Sequence, residues 1–410
     1  MYLPSENRLS IVILPDDYLP DGTRAHAKML HDLALALLQR GHKPIIITPG
    51  VREQPSRLVI DFIDGVEVWR FRSRPTRGVS MLSRGLTELL LSPRAWIAVR
   101  KHLKERRIDL CINYSPTIFL AGFAFILKLQ GAKVYLILRD FFPQWMIDQG
   151  RLSEHSLITR FFRAMEKFNY SISDKIGVQS PGNKIIFSKH NPEYHARCEV
   201  LFNWGSARKN IAHPLSNELL ELIKPYEEKI LFFYGGNLGY AQDMNNLIIL
   251  AQNLIHRDDA HFLFIGDGDQ AHIVSDAAKS MKNVSYSRSV KQHEYETLLK
   301  HVDVGLFSLA AHHSAHNFPG KLLGYMANEL PILGSVNQGN DLKEVIENAR
   351  CGFVLRNGED KKLSSAAEQL IVNQQLRHEM GQNSKQLYIE KFSVDIAAEK
   401  ILTLNSQAKD

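Results

Sequence analysis

Cysteine is scarce in this chain. Its 410 residues hold three, Cys111, Cys198 and Cys351, far apart and with no CxxC pair. That excludes a disulfide framework and a cysteine-built metal site, and it fits reduced cytosolic thiols. Long hydrophobic runs are also missing. The longest uncharged apolar stretch, residues 117–127, ends at Lys128, well short of the ~20 residues a membrane-spanning helix needs. The N-terminal MYLPSENRLS lacks a basic region followed by an apolar core, which argues against a secretory signal. Neither half shows a clean GxGxxG followed by an acidic residue ~20 positions on, which disfavours a dinucleotide dehydrogenase. Basic residues are not interleaved with aromatics in a nucleic-acid-binding motif, so no nucleic-acid partner is expected.

What is present is ordinary globular composition, 44% hydrophobic and 23% charged, with length for two or three domains at the usual ~150 residues each. The net charge of +6 hides an asymmetry. Residues 1–200 carry 29 Lys and Arg against 19 Asp and Glu, whereas residues 201–410 carry 21 against 25. A basic half of this kind faces nucleic acid, an anionic membrane or a phosphorylated substrate. Segment 79–107, an apolar stretch ending in RKHLKERR, is the candidate for contact with a membrane interface, with an ordinary core-facing helix as the alternative. Pro93 is expected to interrupt it.

Two blocks repeat a rhythm of short apolar strand, loop and amphipathic helix. In the first, LSIVIL (9–14) reads as a buried strand. A helix over 24–40 follows, with Ala27, Leu30, Leu33, Ala34, Leu37 and Leu38 on one face and Gly41 closing it. Further strands are expected at 44–48, 58–62, 66–71, 109–113, 133–138 and 175–178. The second block has strands at 230–236, 261–265, 303–307 and 331–334 and a helix over 243–256. Turn formers at 201–216 mark the boundary. The reading is α/β, with two Rossmann-like halves. Ligands of such sheets bind at the C-terminal strand ends, and a cleft between the halves is the default site.

Several strand-ending loops could carry chemistry. PDDYLPDGT (15–23) offers Gly22 and Thr23 ahead of a helix. YGGNLGYAQD (234–243) offers Gly235, Gly236 and Gly239 as a permissive backbone and Asn237 and Gln242 as neutral donors, a sensible cradle for a phosphate or sugar. IGDGDQ (265–270) contains Gly266, Asp267, Gly268 and Asp269. Its Asp-x-Asp pattern could suggest a metal, but packing of the two glycines against a nucleobase is the favoured reading. In HHSAHNFPGKLLGYM (312–326), His312, His313 and His316 lack the spacing and Cys partners of a zinc site. Pro319 is expected at the first helical position, which puts Gly320 and Lys321 in the first turn and makes Lys321 a phosphate candidate. LRDFFPQW (138–145) sets Arg139 and Asp140 at a strand's C-terminal end.

Taken in order, these segments resemble glycosyltransferase family 4, the retaining transferases of the GT-B fold. The resemblance runs through RGHKPIIITPG, VLFNWG (200–205), YGGNLGYAQ, FIGDGD and GKLLGYMANELPIL to the terminal FSVDIAAEKI (392–401). LRDFFP and NFPGKLLGYM are most similar to the bacterial O-antigen and capsule branch, and within it to N-acetyl-L-fucosaminyltransferases. There are departures. The family's double glycine in the first loop is Gly22-Thr23 here. Asn237 and Gln242 stand where the family has an Arg and a Lys for the donor pyrophosphate. His316 and Gly324 stand where it has two glutamates, the second of which holds the ribose.

The resemblance implies an acceptor-binding domain over 1–203, a nucleotide-sugar donor domain over 204–390, and a C-terminal helix, 391–410, returning toward the first. It implies retaining transfer of a sugar from a UDP donor, without a metal or other cofactor, onto a polyprenyl-diphosphate-linked saccharide. The implied place is the cytoplasm, peripherally at the inner face of the membrane. Asp140, Arg139, His316 and Lys321 are the expected catalytic residues. The expected donor-binding residues are Gly22, Thr23, Gly236, Asn237, Gly239, Gln242, Gly266, Asp267, Gly268, Asn317, Phe318, Pro319, Gly320, Lys321 and Leu322. Two alternatives stay open: a nucleotide-sugar 2-epimerase and a catalytically silent nucleotide-sugar-binding subunit.

Overall fold

The strand SIVIL lies with four of its five residues fully buried, because a parallel strand covered on both faces must be apolar throughout. This is β1 (Ser10–Leu14), and the computed structural model builds a sheet outward from it. The model describes residues 8–20, 25–74, 85, 87–115, 117–148, 150, 152–206, 214–312 and 318–406. Two compact units divide the chain, Met1–Phe202 with Val394–Asp410, and Asn203–Ser393.

In the first unit the elements after β1 are α1 (Ala25–Gln39), β2 (Lys43–Pro49), β3 (Leu58–Ile63), β4 (Val66–Phe71), α2 (Leu91–Leu103), β5 (Leu110–Tyr114), α3 (Ala121–Leu129), β6 (Lys133–Leu138), α4 (Gln144–Asp148), α5 (Leu157–Ile172), β7 (Lys175–Val178), α6 (Pro181–His190) and β8 (Cys198–Val200). The sheet order is β3-β4-β2-β1-β5-β6-β7-β8. Every pairing is parallel except β3 with β4. That hairpin turns at Asp64-Gly65, both at positive φ (50° and 83°), the backbone a tight two-residue turn requires. The sequence reading assumed parallel layers and did not foresee this antiparallel edge.

Alternation along the strands sorts side chains to two faces. Val12, Leu14, Ile45, Ile47, Cys111 and Val134 form one core with Leu91, Ala95, Val99, Phe123 and Leu127 of α2 and α3. On the other face α1 packs against β2 and against the last helix. Gly41 ends α1 at φ 85°, as its place in the sequence predicts. Pro93 does not interrupt α2. It sits in the helix's first turn, where a missing N–H has no intrahelical partner to lose. Of the candidate membrane segment, residues 79–84 and 86 lie outside the described residues.

The second unit holds α7 (Asn217–Ile223), β9 (Ile230–Gly235), α8 (Met244–Asn253), β10 (Ala260–Ile265), α9 (Ala271–Ser280), β11 (Val284–Ser287), α10 (Gln292–Leu298), β12 (Val304–Ser308), α11 (Lys321–Ala327), β13 (Ile332–Val336), α12 (Leu342–Asn348), β14 (Gly352–Arg356), α13 (Asp360–Val372) and α14 (Gln374–Leu387). Its order is β11-β10-β9-β12-β13-β14, all parallel. The strand order reverses between β9 and β12. Loops after strands at such a reversal diverge and leave room for a ligand. The final helix, α15 (Val394–Ser406), belongs to the first unit. There Arg40 pairs with Asp395 at 2.6 Å and Lys400 donates to the Val200 carbonyl at 2.6 Å. Among the described residues no helix is long and apolar enough to cross a membrane.

Candidate donor and acceptor sites

The β9–α8 loop and the β10–α9 loop are locked together. The N–H of Gly236 donates to the Ile265 carbonyl at 2.8 Å, that of Leu238 to Asp267 at 2.9 Å, and that of Gln270 back to Leu238 at 2.7 Å. This contact is what Gly266 and Gly268 are for. A Cβ on Gly266 would lie 1.8 Å from the Gly236 carbonyl oxygen, and one on Gly268 2.4 Å from that of Leu238. The sequence reading set a nucleobase against these glycines; in the structure the close neighbour on their Cβ side is backbone of the adjacent loop. Asp267 accepts from the Ser289 N–H at 3.1 Å, and the Ser289 side chain, followed by this backbone bond, holds its carboxyl below the ordinary Asp value. Among the described residues no three His, Cys, Asp or Glu side chains converge as metal ligands.

The same loop is partly spent as an anion cradle. The N–H of Gly235 donates to the Tyr325 hydroxyl at 3.2 Å, and those of Gly236 and Leu238 are used as above. Asn237 and Gly239 keep N–H groups with no acceptor among the described residues. Asn237 and Gln242, expected as neutral donors, face each other instead, with Asn237 Nδ2 donating to Gln242 Oε1 at 2.8 Å.

Lys321 is the first residue of α11, and Gly320 caps it. Pro319 lies before the helix rather than at its first position, a correction of two residues. The lysine stem is partly exposed, but its Nζ is buried and makes no hydrogen bond. It sits 3.2 Å from the centroid of the Tyr234 ring and close to Gly236, where a Cβ would lie 3.8 Å from it. Burial pulls its pKa well below the ordinary lysine value, while the face of the aromatic ring favours the charged form in part. An unpaired buried ammonium costs free energy unless an anion meets it. Tyr234 holds its own place by donating to the Asn237 carbonyl at 2.6 Å.

Of the neighbouring candidates, Phe318 is buried and packs 4.7 Å from Phe392, and Leu322 is fully buried. Both support the turn from within. Gly320 is open, with nothing within 4 Å of a Cβ. His316, Asn317, Gly22 and Thr23 lie outside the described residues. Gly324 borders Leu299 and Tyr295: a Cβ there would be 3.1 Å from Leu299 Cδ1 and 3.8 Å from the Tyr295 ring. A side chain there would press on the Leu299 methyl and meet the Tyr295 ring at ordinary contact distance.

In the first unit Arg139, expected among the catalytic residues, is built in as an internal strut. It is 9% exposed, and its guanidinium donates to the carbonyls of Leu201 (2.5 Å) and Phe202 (3.3 Å). Burial pulls its pKa down to about 10. Asp140, next to it, stays exposed at the rim, yet partial desolvation lifts its carboxyl above the ordinary Asp value, against the opposing pull of Arg139 and His26. His26, missed in the sequence, lies 3.1 Å from Asp16 and stacks on Tyr114 at 4.9 Å. Nothing local in PDGTRAH marks it. Tyr234 and Tyr295 were missed too, since both act by shape and burial.

Comparison with known proteins places these two units. The first matches the Glycosyltransferase Family 4 model over residues 26–204. The second matches the Glycosyl transferases group 1 model over residues 218–387. The probable glycosyltransferase WbjE of Pseudomonas aeruginosa is 24% identical over 323 residues, covering 77% of this chain and 75% of that protein. Among solved structures, WaaG, a glycosyltransferase involved in lipopolysaccharide biosynthesis, superposes with a TM-score of 0.60 at 17% identity, covering 96% of this chain and 99% of its own. Anabaena HepE, in complex with UDP, superposes with a TM-score of 0.64 at 14% identity, covering 97% and 100%. With its doubly wound sheets and these family matches, the chain is a glycosyltransferase of the GT-B fold, a Family 4 domain followed by a group 1 domain.

Proposed function

We propose that this enzyme transfers N-acetyl-L-fucosamine from its UDP donor, with retention at the anomeric carbon, onto a polyprenyl-diphosphate-linked saccharide. The product belongs to bacterial O-antigen or capsule synthesis at the inner face of the cytoplasmic membrane. The observation that carries the donor half of this reading is Lys321, whose buried Nζ has no hydrogen-bond acceptor among the described residues and lies beside Gly236 at the sheet's reversal point. A diphosphate is the anion that fits an ammonium flanked by free N–H groups. The name of HepE's ligand and the stated role of WaaG support the nucleotide and the pathway class. The sugar rests on LRDFFP and NFPGKLLGYM.

In this mechanism the acceptor hydroxyl oxygen bonds to the anomeric carbon on the face from which the diphosphate leaves. The bond from that carbon to the phosphate oxygen breaks, and the hydroxyl proton passes to the departing diphosphate. The charge that develops there is met by Lys321 and the N–H groups of Asn237 and Gly239. Asp140, with His26 beside it, orients a hydroxyl of the acceptor or the sugar. No paired carboxylates at glycosidase spacing are required, and no step is assigned to a metal.

The test is a panel of UDP-, GDP- and dTDP-sugars with polyprenyl-diphosphate acceptors, read by mass spectrometry. Acceptor-dependent UDP release with N-acetyl-L-fucosamine added supports the reading. Failure of that donor while another works overturns the sugar. An altered free nucleotide-sugar without acceptor indicates an epimerase, and no turnover with any donor indicates a silent subunit.

A further inference from the structure

Helices α2, α3 and α5 form one layer over the first sheet, and this layer leaves unusual surface bare. Ile97, Phe125, Leu129, Leu157, Ile158 and Phe161 are all exposed on it, Leu129 at 72% and Leu157 at 80%. On the opposite face, α1 and α15 expose no large apolar side chain among the described residues. A cluster of this kind marks a surface that meets something apolar.

The charges on the three helices say what that is. Their sequences contain a single carboxylate, Glu166. It is buried, accepts from the Tyr170 hydroxyl at 2.7 Å and lies 3.6 Å from Arg163. The exposed charges within these helices are cations, Arg100 and Lys101 on α2 and Arg160 and Lys167 on α5, while the exposed carboxylates Glu105 and Glu154 lie just outside their ends. Apolar side chains ringed by exposed cations, with no exposed carboxylate on the helices that carry them, complement an anionic bilayer surface. The layer also reaches the acceptor side of the site. The N–H of Phe142 donates to the Asp140 carbonyl at 3.1 Å, and the Phe142 ring lies 5.0 Å from that of Phe162, the neighbour of exposed Phe161.

We propose that the outer face of α2, α3 and α5 docks on anionic phospholipid and so presents a membrane-embedded acceptor beside Asp140. This rests on the lipid-linked acceptor proposed above, and it widens the membrane contact from segment 79–107, which contains α2, to a three-helix face.

The test is flotation of the full chain with phosphatidylcholine vesicles, with and without phosphatidylglycerol, over a salt series. The expected result is binding to the anionic vesicles only, weakening as salt rises. Leu157→Ser with Phe161→Ser, and separately Arg160→Glu with Lys167→Glu, should each lower vesicle affinity by at least about ten-fold, with unchanged circular dichroism. Leu220→Ser with Ile249→Ser, exposed apolar residues of the second unit, should not. Turnover with a short-chain soluble acceptor should stay at wild-type level in both face variants and fall only with vesicle-embedded acceptor. Absence of wild-type flotation, flotation unaffected by the face variants, or loss of a self-associated species in sedimentation without any effect on flotation would overturn the proposal. None of these results bears on turnover with soluble acceptor, which tests the transferase reading by itself.

Discussion

Replacing Lys321 by methionine should stabilise the free protein and cripple it as a transferase. The side chains are similar in length and the site is closed around Nζ, so the change mainly removes an unpaired buried charge. Leaving such a group unsatisfied costs about 1–3 kcal/mol, and the Tyr234 ring face returns about 0.5–2 kcal/mol. A net gain of about 1 kcal/mol should raise the melting temperature by roughly 2–4 °C for a unit of this size. The pH dependence has a definite sign. The folded lysine has a depressed pKa, so its penalty is absent above the ordinary lysine value and grows as pH falls toward the folded value. The advantage of Lys321→Met should therefore be absent in strong alkali and increase as pH falls below the ordinary lysine value. Binding should move the other way. Loss of a charge-assisted hydrogen bond to a diphosphate, about 1.5–3 kcal/mol, weakens UDP by about 10–150-fold, and loss of charge stabilisation in the transition state lowers turnover by more than ~100-fold. Calorimetric titration of wild type with UDP, in buffers of different ionisation enthalpy, should show proton uptake that Lys321→Met abolishes. Wild-type UDP affinity and turnover in the variant would refute the assignment. A lower melting temperature with unchanged binding would show instead that the ammonium supports the fold.

Three other substitutions separate scaffold from chemistry. Gly266→Ala drives a methyl group into the Gly236 carbonyl and should cost about 1–3 kcal/mol in urea unfolding while weakening UDP binding; unchanged stability would mean the two loops are not locked as described. Arg139→Met orphans the carbonyls of Leu201 and Phe202 and should lower stability by about 1–3 kcal/mol, with turnover per folded molecule within about three-fold of wild type; a ~100-fold loss in folded protein would restore Arg139 to the reacting centre. Asp140→Asn should remove an acid limb of the pH–rate profile that lies above the ordinary Asp value, since desolvation lifts that carboxyl and activity falls as it protonates; persistence of the limb would assign it to another group.

The alternation of strands and helices was readable because buried parallel strands are short continuous apolar runs, as in SIVIL or AHFLFI. Cys198–Val200, Val284–Ser287 and Gly352–Arg356 escaped notice because they are short or mix polar residues into edge or near-edge positions. Pro93 was misread because its effect depends on where the helix starts, which composition does not state. Arg139 shows the same limit at the site. A charge at a strand end looks available until its acceptors, 62 and 63 residues later, are seen. Lys321 stood out from its motif, but its burial comes from Tyr234 on a different strand.

Charge, finally, works at two ranges in this chain. In the second unit the candidate diphosphate contact is a lysine whose Nζ is already out of water, so its attraction acts at contact distance and salt screens it little. In the first unit Arg100, Lys101, Arg160 and Lys167 are exposed and act at distances comparable with the Debye length, where ions compete directly. The basic excess of residues 1–200 is thus no index of donor binding, and the acidic excess of residues 201–410 is no obstacle to it. Net charge recruits a surface, whereas a desolvated ammonium recognises a ligand, and only the first of these can be counted from composition.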